Sequence, residues 1–288
     1  MASSVRIAAG EGRRPVGLLL VAVPVFLVGW LVIWPIVSAI LRTVWRPQGD
    51  GGMGFDLSTY AFFFSDAYSL NNLYLTLWTT GVCAVLLLIV CLPIALYLRF
   101  ANGKIAVYVQ ALAILPMFVP SIILAYAFIR VLGPNGMVDL LLNAVGLPKI
   151  RTPYLTPWGP VIGLVWDNIP LTVVILLAGL GSVSNMAVEA ARDVGANRLQ
   201  VFWHIVLPQI SNSVLVALSF SVLGIFSAFT LPYLLGPASP EMMGPFMQRT
   251  FRDVNDPIAA ITQAVITFCF CIAFGLFYVR SVARNRGR

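Results

Sequence analysis

Charge is what this chain has least of. Only 10% of its residues are Asp, Glu, Lys or Arg, and just 11 of 288 are acidic. A soluble domain has about a quarter of its residues charged, so this chain cannot cover a water-facing surface. Histidine is nearly absent: His204 is the single one, with no Ser-His-acid or metal-ligand cluster around it. That leaves no base and nucleophile pair for hydrolytic or acyl-transfer chemistry, and no metal site. The four cysteines, Cys83, Cys91, Cys269 and Cys271, lie in apolar stretches without C-x-x-C spacing. They read as buried free thiols. A G-x-x-x-x-G-K-[ST] phosphate loop is missing, so nucleotide phosphates are not cradled in that way. Base-stacking aromatics interleaved with basic residues are missing too, which argues against a nucleic-acid partner.

What is there is apolar. Hydrophobic residues make up 59% of the chain, and the mean hydropathy is +0.91. Crossing a hydrocarbon core of roughly 30 Å takes about 20 helical residues. Six stretches meet that length: 15–41, 72–98, 105–131, 157–181, 212–235 and 257–279. No alternating ten-residue pattern runs through them, which favours helices over a barrel. The first stretch follows Arg13 and Arg14 as a secretory signal would, but it is too long and no small-residue cleavage site closes it. The expectation is an all-α integral membrane protein, one transmembrane domain over 1–288 with six transmembrane helices and no soluble domain.

Lysine and arginine set the orientation. With the N-terminus inside, the inner segments carry Arg6, Arg13, Arg14, Arg99, Lys104, Arg192, Arg198, Arg280, Arg284, Arg286 and Arg288 against Glu11, Glu189 and Asp193. The outer segments balance. Both termini are therefore expected in the cytoplasm, and the basic excess is topological. Outside, 48–54 reads as a flexible glycine turn, the run Tyr60–Phe64 as an interfacial helix, and 138–145 as a short helix stopped by Gly146 and Pro148.

Between the fourth and fifth spans lies a polar island, 182–211. Residues 187–194 are good helix formers, and Glu189 and Arg192 are spaced for an i, i+3 pair. Gly195 accepts positive φ and can end that helix. Asn197 can cap a second one over 198–206, with Leu199, Phe202 and Val206 along one apolar side. Pro208 suits the first turn of the next span. On the residues alone, this is a helix–turn–helix at the membrane face, packed on lipid or on its own bundle.

The spacing adds more. Glu189-Ala190-Ala191, three residues, Gly195, nine residues, Ile205, one residue, Leu207-Pro208 resembles the cytoplasmic EAA loop of permease subunits of binding-protein-dependent ABC importers. The resemblance implies a type I ABC importer permease (MetI-like) fold, with this loop as the coupling helix that docks on an ATPase subunit. Glu189, Ala190, Ala191 and Gly195 would form the docking helix and its turn, while Ile205, Leu207 and Pro208 lead back into the membrane. It also implies partners: an ABC ATPase subunit dimer, a second permease subunit of a related kind, an extracytoplasmic substrate-binding protein and membrane lipid. The chain itself would be no enzyme, would need no cofactor, and would sit in a bacterial inner membrane.

Asp167 is the one acid within a span. An intramembrane carboxylate costs about 2.5–3.5 kcal/mol on insertion scales, so it should face a cavity or the bundle interior. Pro170 would break the helix there, and Trp166 and Asn168 would add a ring face and an amide. Such a set suits a cationic amine; the plainer reading pairs Asp167 with Arg130. Tyr126 and Phe229 are further candidates for the pathway, Pro116, Pro120 and Pro232 for kinks, and Gly159-x-x-x-Gly163 for a helix contact. The stretches 71–80, 92–97 and 132–137 look like permeases of the spermidine/putrescine branch. They are shared with permeases for aminophosphonates, thiamine and ferric iron. A stand-alone channel or carrier would not need the 182–211 pattern.

Overall fold

The computed structural model describes residues 14–47, 52–101, 103–148 and 151–286. Arg6, Glu11, Arg13, Arg288 and residues 48–51 of the expected glycine turn lie outside the described residues, while Met53 and Gly54 of that turn are held in a strand. The chain divides into two compact units, 1–60 and 61–288, where the sequence reads as one domain.

In the first unit, helix α1 (Arg14–Val28) passes through a π-helical turn, Gly29–Ile33, into α2 (Trp34–Val44). The turn has a local cause. Pro35 donates no hydrogen bond, and its ring would meet the carbonyl four residues back in a regular helix; one wider turn absorbs both defects. Phe26, Trp30 and Trp34 stack along the helix at 6.2 and 6.4 Å. Strands β1 (Trp45–Pro47) and β2 (Met53–Phe55) then pair antiparallel, Trp45 opposite Phe55. Among the described residues this ribbon is the only departure from all-α structure. Asp56 accepts bonds from the Ser58 amide and hydroxyl at 2.8 and 2.9 Å. These bonds, helped by Arg46, hold its carboxyl below the usual carboxylate range. Helix α3 (Ser58–Ser65) follows and carries the aromatic run.

The second unit is built on α4 (Ala67–Phe100), which starts where Asp66 accepts from Ser69 N at 2.9 Å. Its 34 residues rise about 50 Å, more than a bilayer core. Cys83, Leu87, Cys91 and Ala95 recur every fourth residue and are fully buried. They face α8 (Trp158–Leu180). Cys83 Sγ lies 3.8 Å from Val161 O, and Cys91 Sγ 4.0 Å from Ile169 O. The pairs advance together, so α4 and α8 run the same way. Helix α11 (Leu207–Phe226) is antiparallel to α8, with Thr172 Oγ1 3.0 Å from the Ser221 hydroxyl.

Two expected spans change. The stretch 105–131 is α5 (Lys104–Ile114), a 3₁₀ turn Leu115–Phe118, extended Val119, and α6 (Ser121–Leu132). Pro116 and Pro120 remove two amide donors, and Pro120 drives the residue before it out of the helical region. The stretch 212–235 starts earlier, at Leu207, and ends at Phe226; a separate helix α12 (Thr230–Leu235) completes it. Pro232 lies in the first turn of α12, where a missing amide does no harm. The break therefore falls ahead of it, at 227–229.

The glycines of Gly159-x-x-x-Gly163 do form a contact. A Cβ at 159 would overlap the Leu235 carbonyl oxygen, and one at 163 would stand 2.8 Å from Leu235 Cδ1. Helix α7 (Met137–Ala144) is the expected short one. Helices α13 (Met243–Arg252) and α14 (Pro257–Arg286) close the unit, joined by Gln263 Nε2 donating to Thr250 Oγ1 at 3.0 Å. Asn72 and Thr76 of α4 accept from the amides of Glu241 and Met243 at 2.9 and 2.8 Å, fixing the segment that leads into α13.

Candidate coupling loop and translocation path

The island between α8 and α11 folds as two short helices. In α9 (Asn185–Asp193), Ser184 caps the start by accepting from Ala187 N. Val188 is buried, Ala191 is half-buried, and Glu189 and Ala190 are exposed. The helix stops at Gly195, whose φ of +87° explains the residue type. Ala196 N then bonds back to Ala191 O at 2.9 Å. Asn197 opens α10 (Arg198–Val201) with a complete capping box: Gln200 N donates to Asn197 Oδ1, and Asn197 N to Gln200 Oε1, both at 2.8 Å.

A second π-helical turn, Phe202–Val206, joins α10 to α11 ahead of Pro208. It is the same solution found before Pro35. Ile205 and Leu207 are half-buried there and Pro208 is exposed. The apolar side expected for this helix needs correcting. Leu199 is 66% exposed, and Val201 takes the inward position beside Phe202 and Val206. The Glu189–Arg192 pair is not formed.

Arg99, at the end of α4, holds the loop. Its Nε donates to Leu180 O at 3.0 Å, and its Nη2 to Asn185 Oδ1 at 2.7 Å and Val183 O at 3.4 Å. One guanidinium thus ties α4, the end of α8 and the start of α9. In the sequence Arg99 stands only as a topology charge. Met186, Val194 and Trp203 carry no signal there, yet they are large apolar side chains turned outward on the loop. Around Gly195 the two helices leave a hollow of about 400 Å³, lined by Ala191, Val194, His204 and Ile205 among others.

The profile of the binding-protein-dependent transport system inner membrane component family matches residues 90–287, which include this whole loop. The chain belongs to that family. The spermidine/putrescine transport system permease protein PotB of Escherichia coli (strain K12) is 27% identical over 274 residues, covering 91% of this chain and 98% of the relative. The inner membrane ABC transporter permease protein YcjO of the same organism is 27% identical, covering 97% of this chain and 98% of that protein. Among solved structures, a chain of a bacterial alginate ABC transporter superposes with a TM-score of 0.77 at 18% identity, covering 92% of this chain and 93% of that one. A chain of the MetNI methionine ABC transporter in an inward-facing conformation gives 0.59 at 17% identity, over 75% and 95%. These likenesses show the type I importer permease fold. The permease is a transport subunit and not an enzyme; ATP hydrolysis belongs to a separate subunit.

In this permease, α8 runs unbroken past Pro170, contrary to the break expected there. The helix packs against both α4 and α11, which hold it past the proline. Asp167 is half-exposed and has no hydrogen bond or ion pair among the described residues; Arg130 does not reach it. Trp166 meets Phe128 of α6 edge-on at 6.3 Å. Asn168 turns the other way, donating to Leu164 O at 2.8 Å and lying near Gly224 of α11. Tyr126 is exposed on α6, and Phe229 stacks on Tyr233 at the 227–229 break. No hydrogen bond or ring contact among the described residues joins either of them to Asp167.

Proposed function

We propose that this permease forms half of the translocation pathway for a polyamine such as spermidine or putrescine. Its partners are an ABC ATPase dimer, a related second permease, an extracytoplasmic binding protein and the surrounding membrane lipid. The chain acts as one transmembrane domain, 1–288, with both termini in the cytoplasm. Asp167, a carboxylate within the span α8 and without a counter-ion, carries the cargo reading. A cationic amine supplies the missing charge, with Trp166 adding a ring face. The 27% identity to the spermidine/putrescine permease over 91% of the chain supports the same class. Asn168, Tyr126 and Phe229 belong to the same proposed path. In proteoliposomes bearing the complete importer, Asp167→Asn lowers polyamine uptake; uptake and affinity at wild-type levels discard this cargo.

The loop is the mechanical joint. Glu189, Ala190, Ala191 and Gly195 meet the ATPase, with Glu189 facing a basic residue of its groove. Ile205, Leu207 and Pro208 pass the movement into α11. The exposure of Glu189 and Ala190 on a capped, clamped helix supports this role. Glu189→Arg is expected to uncouple ATP hydrolysis from uptake or to prevent assembly. Wild-type levels of both would remove the coupling role.

A further inference from the structure

We infer that the permease carries a site for one acidic phospholipid, in a groove between the end of α4 and the coupling loop. The groove encloses about 890 Å³. Its floor is apolar and aromatic: Leu96, Tyr97 and Phe100 from α4, Val188 from α9, and Val201 and Phe202 beyond it. Its rim carries Arg192 and Arg198. Both arginines are exposed, and neither has an ion pair or hydrogen bond among the described residues. Arg99 nearby is engaged with Leu180, Val183 and Asn185. The loop's acids, Glu189 and Asp193, do not line the groove, so nothing in it neutralises the two cations.

Depth selects the occupant. Leu96 to Phe100 form the last turn of a helix long and apolar enough to cross a membrane, and Val206 directly precedes α11, within another such helix. The groove therefore opens where lipid headgroups lie. A free phosphate would leave its apolar floor wet, and a zwitterionic headgroup would bring its own cation toward the arginines. An anionic headgroup on an acyl chain satisfies both parts. Basic pockets between membrane helices bind acidic lipids by this combination. The assignment of the leaflet, as inner, rests on the proposed orientation of the loop; the site itself does not.

The test is native mass spectrometry of the purified full-length chain, titrated with phosphatidylglycerol and phosphatidylcholine of identical acyl chains. Wild type is expected to keep one phosphatidylglycerol with a preference on the order of tenfold or more, the effect of two surface arginines. R192Q/R198Q should lose that preference and R192K/R198K keep most of it. Equal retention by R192Q/R198Q, or no preference in wild type, overturns the site. Displacement by millimolar inorganic phosphate would reduce it to an anion contact and overturn it as well. So would ejection of the lipid when the ATPase subunit is added, which would make the groove a protein interface. Retention is read on the isolated chain, so its failure leaves the coupling role of Glu189 untouched, and a failed Glu189 test leaves the lipid site standing.

Discussion

Replacing Arg99 with Ala removes three bonds at once: those to Leu180 O, Val183 O and Asn185 Oδ1. A charge-assisted hydrogen bond contributes about 1.5–3 kcal/mol when well buried. Here the guanidinium is half-exposed and water replaces part of each bond, so the three together are expected to contribute about 2 kcal/mol. That corresponds to about thirtyfold in the equilibrium between the docked and released loop. Local opening of this kind is read by amide hydrogen exchange. In Arg99→Ala, the amides of Ala187 and Val188 should exchange about thirtyfold faster, while amides in the middle of α4 are unchanged. Arg99→Lys should recover only part, because one ammonium cannot span the three acceptors. In the assembled importer, ATP hydrolysis should then persist while uptake falls. Exchange at α9 unchanged to within about threefold would refute the clamp, whatever happens to uptake.

Two further outcomes follow from packing and burial. Gly159→Ala puts a methyl group onto the Leu235 carbonyl and should cost about 1–3 kcal/mol, as overpacking does; Gly275→Ala, where nothing lies within 4 Å, should not destabilise, and equal melting temperatures for the two variants in detergent would refute the close α8–α12 approach. At Glu241 two influences oppose: Arg249 pairs with the carboxylate, while burial, joined by repulsion from Asp253, pushes the carboxyl up to about 7. Burial wins because the glutamate is only 8% exposed whereas Arg249 keeps one side in water. A carboxyl raised from 4.5 to about 7 binds protons more tightly in the folded chain, so its contribution is complete at low pH and is lost as pH rises toward 7. The melting temperature should fall between about pH 5 and 7.5 in wild type and less in Glu241→Gln; an identical pH profile for both would refute it.

Much of the loop between α8 and α11 was legible because its signals are local. Gly195 ends α9 through its own backbone freedom, and Asn197 with Gln200 starts α10 through bonds spanning three residues. The face of the second helix was not. A 3.6-residue period fits several apolar stripes, and Val201 rather than Leu199 turns inward because the end of α4 stands on that side. The divided third span was half legible: Pro116 and Pro120 announced a disturbance, but not that it would separate α5 from α6. Pro170, an equal signal in sequence, leaves α8 whole because neighbouring helices hold it. The proline defect is the same in each case; its outcome depends on what packs around it.

The sequence by itself determined that the chain lives in a membrane as helices, and that a capped, glycine-broken loop lies between the fourth and fifth apolar stretches. Those properties follow from scarce charge, apolar length and short-range hydrogen bonding, all written along the chain. Only the tertiary structure decided that α4 and α8 run in parallel along the Cys83–Ala95 stripe, that Arg99 clamps the loop, and that Arg192 and Arg198 stand over one apolar groove. These depend on residues from about eighty to a hundred positions apart meeting in space, and no local pattern specifies which partner each will find.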